Sequence, residues 1–310
     1  MSLPEIKTVI GEVSDMIDDW SRAYDIAFSR SMNMTGGEPF LRPDLFEVLG
    51  EAGRRGFDVF LLTNGTLVDR ARALRLAELG VKGVQVSIEG PEEVHDSIRG
   101  AGSFAASAAG IERLVDAGIA VTLNVTVSRL NASSMKQVIT FGSRAGARRI
   151  GFSRLVPSGK GRSLLSRMLS PQEVKELYES LFSLELKDID IVTGDPVASC
   201  MKTPSNGDAG DRAMSGCAAG VSGLTILPNG DVLPCRRLPL YLGNVRRDSL
   251  RELWVSSPVL EALRDRSRYE GKCGTCPRWA HCRGCRAIAH AWSRSRGEDD
   301  FLADDPQCFL

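Results

Sequence analysis

The stretch "KCGTCPRWAHCRGC", residues 272–285, places four thiols in two pairs, and two residues separate the members of each pair. Such a pair brings two sulfur atoms around one tight turn, close enough to bind the same metal centre. The chain has eight cysteines and none before Cys200; they are residues 200, 217, 235, 273, 276, 282, 285 and 308. Spacing alone leaves three interpretations open: disulfides, zinc sites of four thiolates each, or two iron–sulfur cubanes.

Composition narrows these interpretations. The 310 residues are 43% hydrophobic and 25% charged, which is ordinary for a globular protein of one or two domains. The 39 basic and 39 acidic residues balance, so charge indicates neither a nucleic-acid nor a membrane partner. The charged, amphipathic start is unlike a signal peptide, and no stretch is apolar enough to span a bilayer. We therefore expect a cytoplasmic protein, in which clustered cysteines more often bind metals than form disulfides.

The first 156 residues alternate between helical and strand-like patterns. Helical spacing begins at once, with Ser2 and Glu5 in a capping-box pattern. Helical patterns follow near 43–54, 68–79, 103–117 and 134–145, and strand-like runs lie near 27–34, 58–63, 83–89, 120–127 and 149–156. This order predicts an α/β fold with a parallel sheet, either doubly wound or part of a β/α barrel. The series opens on a helix with no strand before it.

The pattern changes after residue 163. A capped helix is predicted from Ser170 to about Leu184, and a region rich in Gly, Pro and Cys follows. In that region Asn229-Gly230 separates two short strand-like runs and predicts a tight hairpin. Ser249 is predicted to cap a further helix. A domain boundary is therefore expected between residues 160 and 196.

The sequence around the thiols resembles the SPASM domain. The matching stretches are "CAAGVSGLTILPNGDVLPC" at 217–235, "CGTCPRWAHCRGC" at 273–285, and the final Cys308. The resemblance implies two auxiliary [4Fe–4S] clusters. Its implied ligands are Cys217, Cys235 and Cys285 with Cys200 for the first cluster, and Cys273, Cys276, Cys282 and Cys308 for the second.

The first half resembles the barrel of radical S-adenosylmethionine (SAM) enzymes, which usually precedes a SPASM domain. The stretches that carry the resemblance are "MTGGEPFLRPDLFEVL" at 34–49, "VSIEGPEEVHDSIRGAGSF" at 86–104 and "RLVPSGKG" at 154–161. Glu89 stands where the family has aspartate. The implied fold is an incomplete (β/α)6 partial TIM barrel at 1–165, a connecting helix and linker at 166–196, and a small Cys-rich SPASM domain with a hairpin and helices at 197–310.

The same resemblance implies a SAM site at the carboxyl ends of the strands. Gly36, Gly37 and Glu38 match the segment near the SAM amino group, and Ser87 and Arg99 match positions that hold its carboxylate. Val156, or its neighbour Leu155, matches the adenine-contacting strand, and Asn64 and Asn124 are expected to face the same cleft. Three simpler interpretations stand beside these: Asn64 as a turn residue, Arg99 in an ion pair with Asp96, and His95 as a structural residue.

A radical SAM enzyme also holds a cluster with a C-x3-C-x2-C motif, and this chain has no cysteine before Cys200. Three thiolates leave one iron of that cluster free to bind SAM. We therefore expect an N-terminally shortened maturase that acts on a peptide or a small cofactor precursor but does not cleave SAM by itself. Ferredoxin or flavodoxin is the implied electron donor. The alternatives are a non-catalytic iron–sulfur protein that transfers electrons or presents substrate, and a zinc-stabilised binding protein.

Overall fold

The computed structural model describes residues 1–201 and 216–310, which form two compact units. The first unit comprises Met1–Thr126, Asn131–Gly151 and Glu185–Val192, and the second comprises Val127–Leu130, Phe152–Leu184 and Thr193–Leu310. The helix that begins after Ser170 therefore belongs to the second unit by its contacts. The family domain boundaries at residues 165 and 196 stay predictions.

A six-stranded sheet in sequential order organises the first unit. Its strands are β1 (Ser31–Met34), β2 (Asp58–Thr63), β3 (Gly83–Ser87), β4 (Val121–Val127), β5 (Arg149–Arg154) and β6 (Asp190–Val192). The pairs β1–β2, β2–β3, β3–β4 and β5–β6 are parallel. The five predicted strands are confirmed. The sixth was not predicted, because three residues are too few to show the alternation that marks a strand.

Helices connect the strands, as parallel pairing requires. They are α1 (Leu3–Tyr24), α2 (Leu45–Arg54), α3 (Arg70–Glu78), α4 (Glu92–Arg99), α5 (Ser103–Asp116) and α6 (Met135–Arg144). The capping box that begins α1 forms as predicted, since the Ser2 amide donates to Glu5 Oε2 at 2.6 Å and the Glu5 amide to Ser2 Oγ at 3.4 Å. Helix α4 lies inside the motif at 86–104 and was not predicted.

The two faces of the sheet differ in burial. Along β4, Val121, Leu123, Val125 and Val127 are buried, whereas the alternate residues are only half-buried. Strand β2 alternates in the same way. The buried face is the hydrophobic core, so polar side chains on the other face remain accessible to a ligand.

The second unit combines short helices with a small sheet. Its helices are α7 (Pro171–Phe182), α8 (Pro196–Ser199), α9 (Leu250–Ser256), α10 (Pro258–Arg264), α11 (Gly271–Thr275) and α12 (Arg286–Ser295). Its strands β7 (Thr225–Ile226), β8 (Asp231–Leu233) and β9 (Gly243–Asn244) are antiparallel. The predicted hairpin is confirmed, with Gly230 at φ +90° in its turn. The Ser249 cap is confirmed as well.

The core of the second unit surrounds Cys285, a predicted cluster ligand. Cys285 is buried among Leu238, Leu260, Leu263 and Ile288. In the described ranges, no helix combines the length and the apolar character needed to cross a membrane.

Candidate functional site

Glu38 is fixed at the carboxyl end of β2. Its Oε1 accepts the Thr63 hydroxyl at 2.7 Å, and its Oε2 accepts the Asn64 amide at 2.9 Å. Glu38 follows Gly36 and Gly37, which are exposed, and a Cβ added to either glycine would meet no atom within 4 Å. This edge of the sheet therefore offers an anchored carboxylate beside open space.

Asn64 caps a turn. Its Oδ1 accepts both the amide and the hydroxyl of Thr66, each at 2.8 Å. This is the geometry of an Asx turn. The structure thus favours the simpler of the two interpretations of Asn64.

Ser87 and Asn124 lie side by side. They are register partners in β3 and β4, so their side chains occupy the same face of the sheet. Both are half-buried on the less covered face. Two of the predicted SAM contacts are therefore adjacent, as the sheet pairing alone requires.

Arg99 ends α4, and Glu89 rather than Asp96 is its partner. Arg99 Nε donates to Glu89 Oε1 at 3.0 Å, while the Asp96 carboxylate accepts the amides of Gly102 and Phe104. The Arg99 side chain remains 32% exposed, whereas that of Glu89 is 4% exposed. Arg99 thus keeps accessible N–H groups although it is paired.

Glu89 is a buried centre of contacts that sequence reasoning noted only as a replacement. Its Oε2 accepts the Thr126 amide at 2.9 Å, and its carbonyl oxygen accepts Asn131 Nδ2 at 2.8 Å. Its own amide donates to His95 Nδ1 at 3.1 Å. Glu89 therefore connects β3, α4 and β4. The sequence signal that could have identified Glu89 is a charged residue at the end of a predicted strand, in the same motif as Arg99.

His95 is buried, with 1% of its surface exposed. Burial, with the Arg99 charge as a second cause, lowers the pKa of His95 to about 4. The ring is therefore neutral near pH 7. Because Nδ1 accepts a hydrogen bond, the ring proton lies on Nε2, which has no partner in the described residues. This placement is that of a structural residue.

Val156 lies in the second unit. It is 7% exposed and belongs to the apolar cluster around Cys285, and Leu155, which is 8% exposed, belongs to the same cluster. Its role toward adenine stays a prediction.

Four thiols are buried, namely Cys200, Cys273, Cys282 and Cys285, and the other four are half-buried. Burial raises the pKa of Cys273 to about 11 and, together with Cys217, that of Cys285 to about 12. Thiols with such pKa values are protonated near pH 7, so metal binding must displace their protons.

The thiols of Cys200 and Cys282 are in contact. Hydrogen bonding to Cys282 lowers the pKa of Cys200, and the same bond, with burial, raises the pKa of Cys282. Cys200, implied as a ligand of the first cluster, thus lies against a ligand implied for the second. Its assignment stays a prediction.

Two adjacent aspartates position the backbone of the thiol block. Asp304 Oδ1 accepts the Cys273 amide at 2.9 Å, and Asp305 Oδ2 accepts the Cys285 amide at 2.8 Å. These cysteines are implied ligands of different clusters. The segment that ends at Cys308 thus contacts both implied ligand sets.

Asp305 is itself held by a buried arginine. Arg154 donates to Asp305 Oδ1 at 2.8 Å and also pairs with Asp195; all three side chains are at most 2% exposed. Burial raises the pKa of Asp305, but the Arg154 charge and the Cys285 amide outweigh it, so that pKa lies below its usual range. Sequence reasoning missed this network, because its members are far apart in the chain.

The donor set fits an iron–sulfur centre. Thiolates are the ligands that such clusters use, and zinc also accepts four of them. Among the described residues, no three His, Cys, Asp or Glu side chains surround a single metal ion. Two buried N–H groups in this region, Arg286 Nε and Trp279 Nε1, have no partner in the described ranges. Donors left unpaired in a buried site fit a group that brings its own acceptors, as cluster sulfides do.

Two family profiles match the chain. The profile of the radical SAM superfamily matches residues 11–142, and the SPASM profile of an iron–sulfur cluster-binding domain matches residues 217–277. These matches confirm the predicted cofactor classes, SAM and iron–sulfur clusters. The number of clusters stays a prediction.

Curated relatives match over most of their length. The AdoMet-dependent heme synthase of Nitratidesulfovibrio vulgaris is 32% identical over 299 residues, which cover 88% of this chain and 77% of that protein. The mycofactocin maturase MftC of Mycobacterium tuberculosis is 33% identical over 285 residues, which cover 88% of this chain and 69% of that protein.

Solved structures share the fold. Streptococcus suis SuiB superposes with a TM-score of 0.75 at 16% identity and covers all of this chain and 71% of its own. Native anSMEcpe with bound AdoMet gives 0.71 at 19% identity, with 99% of this chain and 85% of its own covered. With the family profiles, they confirm the predicted α/β partial barrel followed by a SPASM domain.

Proposed function

Because this chain belongs to the radical SAM superfamily and carries a SPASM iron–sulfur domain, we propose that it serves in the radical-based modification of a peptide or a cofactor precursor. The observation that carries the proposal is the thiol-rich second unit, in which Asp304 and Asp305 position the backbone of implied ligands from both sets. SAM and a reduced cluster, when bound, supply a carbon radical that abstracts hydrogen. The residues of the chain itself bind and orient these groups and exclude water from them.

The proposed clusters are two cubanes, with Cys217, Cys235, Cys285 and Cys200 on the first and Cys273, Cys276, Cys282 and Cys308 on the second. Eight thiolates are the number that two cubanes require. We propose Cys200 for the first cluster, although its thiol contacts Cys282, which is proposed for the second.

The proposed SAM site uses Gly36, Gly37, Glu38, Ser87 and Asn124 of the first unit, with Arg99 for the carboxylate. Glu38 presents an anchored acceptor to an ammonium group. Arg99 uses Nε and Nη2 for Glu89, while its Nη1 has no protein partner in the described ranges and can donate to a carboxylate.

We also propose that a cavity at the amino ends of the strands binds a ligand that carries carboxylates, apart from the SAM site at the carboxyl ends. This cavity lies on the less covered face of the sheet and is lined by Phe60 and Leu62 and, at the amino ends of the strands, by Lys82, Arg148 and Arg149. Lys82 Nζ lies 3.9 Å from Asp58 Oδ1, whereas neither Arg148 nor Arg149 forms an ion pair within the described residues. An apolar wall beside these cations suits a small amphipathic anion.

Relatives support both proposed substrate classes, a cofactor precursor and a peptide. One is named an AdoMet-dependent heme synthase and another a mycofactocin maturase, and SuiB is bound to a precursor peptide in one of its structures. We propose ferredoxin or flavodoxin as the electron donor, because low-potential clusters need one.

Cluster content and SAM cleavage test the proposal. We expect anaerobic reconstitution to give about eight iron and eight sulfide per chain, with broad absorbance, as two cubanes require. Because none of the eight thiols precedes Cys200, we also expect no reductive cleavage of SAM by this chain alone. About two zinc without iron would refute the cluster proposal in favour of structural zinc. 5′-Deoxyadenosine above a no-protein control would refute the second expectation and the alternative of a non-catalytic partner.

A further inference from the structure

Arg286 is a buried cation without a carboxylate partner. It is 1% exposed, and it is the first residue of α12, directly after Cys285. Within the described residues it forms no ion pair. Burying an unpaired charge is costly, so a side chain of this kind needs a source of negative charge.

The contacts of Arg286 converge on a predicted cluster ligand. Its Nη2 lies 3.7 Å from Cys273 Sγ, and its guanidinium carbon lies 5.0 Å from the centre of the Tyr269 ring. Its Nη1 donates to the Ala303 carbonyl at 2.7 Å. Its Nε, which is buried, has no partner among the described residues. The guanidinium therefore lies beside Cys273 Sγ, and one of its N–H groups has no acceptor in the described ranges.

A cluster thiolate at Cys273 would supply what is absent. The thiolate brings negative charge next to the guanidinium, and a cluster sulfide can accept the free Nε–H. Hydrogen bonds and positive charge near the sulfurs stabilise the reduced state of a cluster, because reduction adds negative charge.

We propose that Arg286 is a positioning residue for the cluster bound by Cys273, and that its buried charge raises the reduction potential of that cluster. The inference rests on the proposed cluster function. It goes beyond that function because it names a side chain that tunes the potential of this cluster.

The test compares Arg286→Gln and Arg286→Lys in the reconstituted full chain. Midpoint potentials are measured by redox titration followed by electron paramagnetic resonance. We expect Arg286→Gln to keep its iron and to shift one of the two potentials to a more negative value, because the buried charge is gone. Arg286→Lys keeps the charge but loses the planar fork, so we expect a smaller shift.

Arg266→Gln is the matched control. Arg266 is exposed and donates to the Gly274 carbonyl at 2.9 Å, next to Cys273, so its loss removes the same charge from the same segment. Water screens that charge, and we expect the wild-type potential.

Each outcome decides between the proposals. Wild-type protein without clusters would refute the proposed function itself. Normal clusters in all variants, with an unchanged potential in Arg286→Gln, would overturn the inference alone. Loss of the cluster from both Arg286 variants would also overturn it, because Arg286 would then be needed for assembly and not for tuning.

Discussion

In the first unit, burial determines the hydrogen-bond partners and the charge state of single residues. Glu89 replaces the shorter aspartate of the family motif, and its carboxylate reaches both Arg99 and the Thr126 amide. His95 accepts the Glu89 amide, and it can do so only while its ring is neutral at Nδ1. Protonation of His95 would therefore break a buried hydrogen bond and place a cation beside Arg99.

This placement predicts a pH effect on stability. The folded pKa of His95, about 4, lies below its ordinary value of 6.5, so the native state binds the proton less well than the unfolded chain. The contribution is complete above pH 6.5 and is lost as the pH falls toward 4. Between pH 7.5 and 5.5 we expect the free energy of unfolding to fall by about 1 kcal/mol more in the wild type than in His95→Gln, measured by urea unfolding.

An identical pH dependence in His95→Gln and the wild type would contradict the assignment of this effect to His95.

At the scale of elements, the C-terminal segment around Asp304 and Asp305 decides how the thiol block is held. Asp305 is buried and ion-paired with Arg154, whereas Asp304 is half-buried and accepts the backbone amides of Lys272 and Cys273. Helix α12 begins at the Cys285 end of this arrangement. The two carboxylates have similar roles but different environments.

Their environments predict unequal effects on stability. Asp305→Asn removes one carboxylate partner of Arg154. It also places a side-chain NH2 group against N–H donors that the carboxylate accepted. We therefore expect a loss of about 3 kcal/mol in unfolding free energy. Asp304→Asn loses a charged acceptor near solvent, so we expect about 1 kcal/mol. Denaturant unfolding of the two variants, each with its iron content, makes the comparison. Equal losses would show that the buried ion pair adds nothing.

At the scale of the whole molecule, each unit brings together chemistry from distant parts of the sequence. The sheet of the first unit aligns Ser87 with Asn124 and gathers Lys82, Arg148 and Arg149 at the amino ends of its strands. The second unit gathers thiols from Cys200 to Cys308. Binding by the first unit and cluster binding by the second can therefore be measured separately.

The cavity predicts binding of a carboxylate-bearing ligand. Reversing both charges, with Arg148→Glu and Arg149→Glu, should weaken binding of a small aromatic dicarboxylate at least about tenfold, because two favourable contacts become repulsive. Absorbance titration measures the affinity. The control is Arg70→Glu with Arg144→Glu, two exposed arginines of the first unit that do not line the cavity. Equal affinities of the two double variants would contradict a role for the cavity cations.

The sequence by itself determined the α/β class, five strands, the hairpin at Asn229-Gly230 and the cofactor classes. These follow from local periodicity, turn residues and motifs, which are written in contiguous stretches of the chain. The three-residue strand β6 and helix α4 were not predicted. The strand is too short to show an alternating hydrophobic pattern, and the helix lies within a motif that was interpreted only for its chemistry.

Only the tertiary structure decided the partners of buried charges. Glu89 and not Asp96 pairs with Arg99, Arg154 joins Asp195 to Asp305, and Arg286 lies against Cys273. Sequence separation in the Arg154 network reaches 151 residues, so no local pattern could predict it. The physical reason is that a buried charge is satisfied by whatever the folded chain brings within a few ångströms, and that proximity exists only after folding.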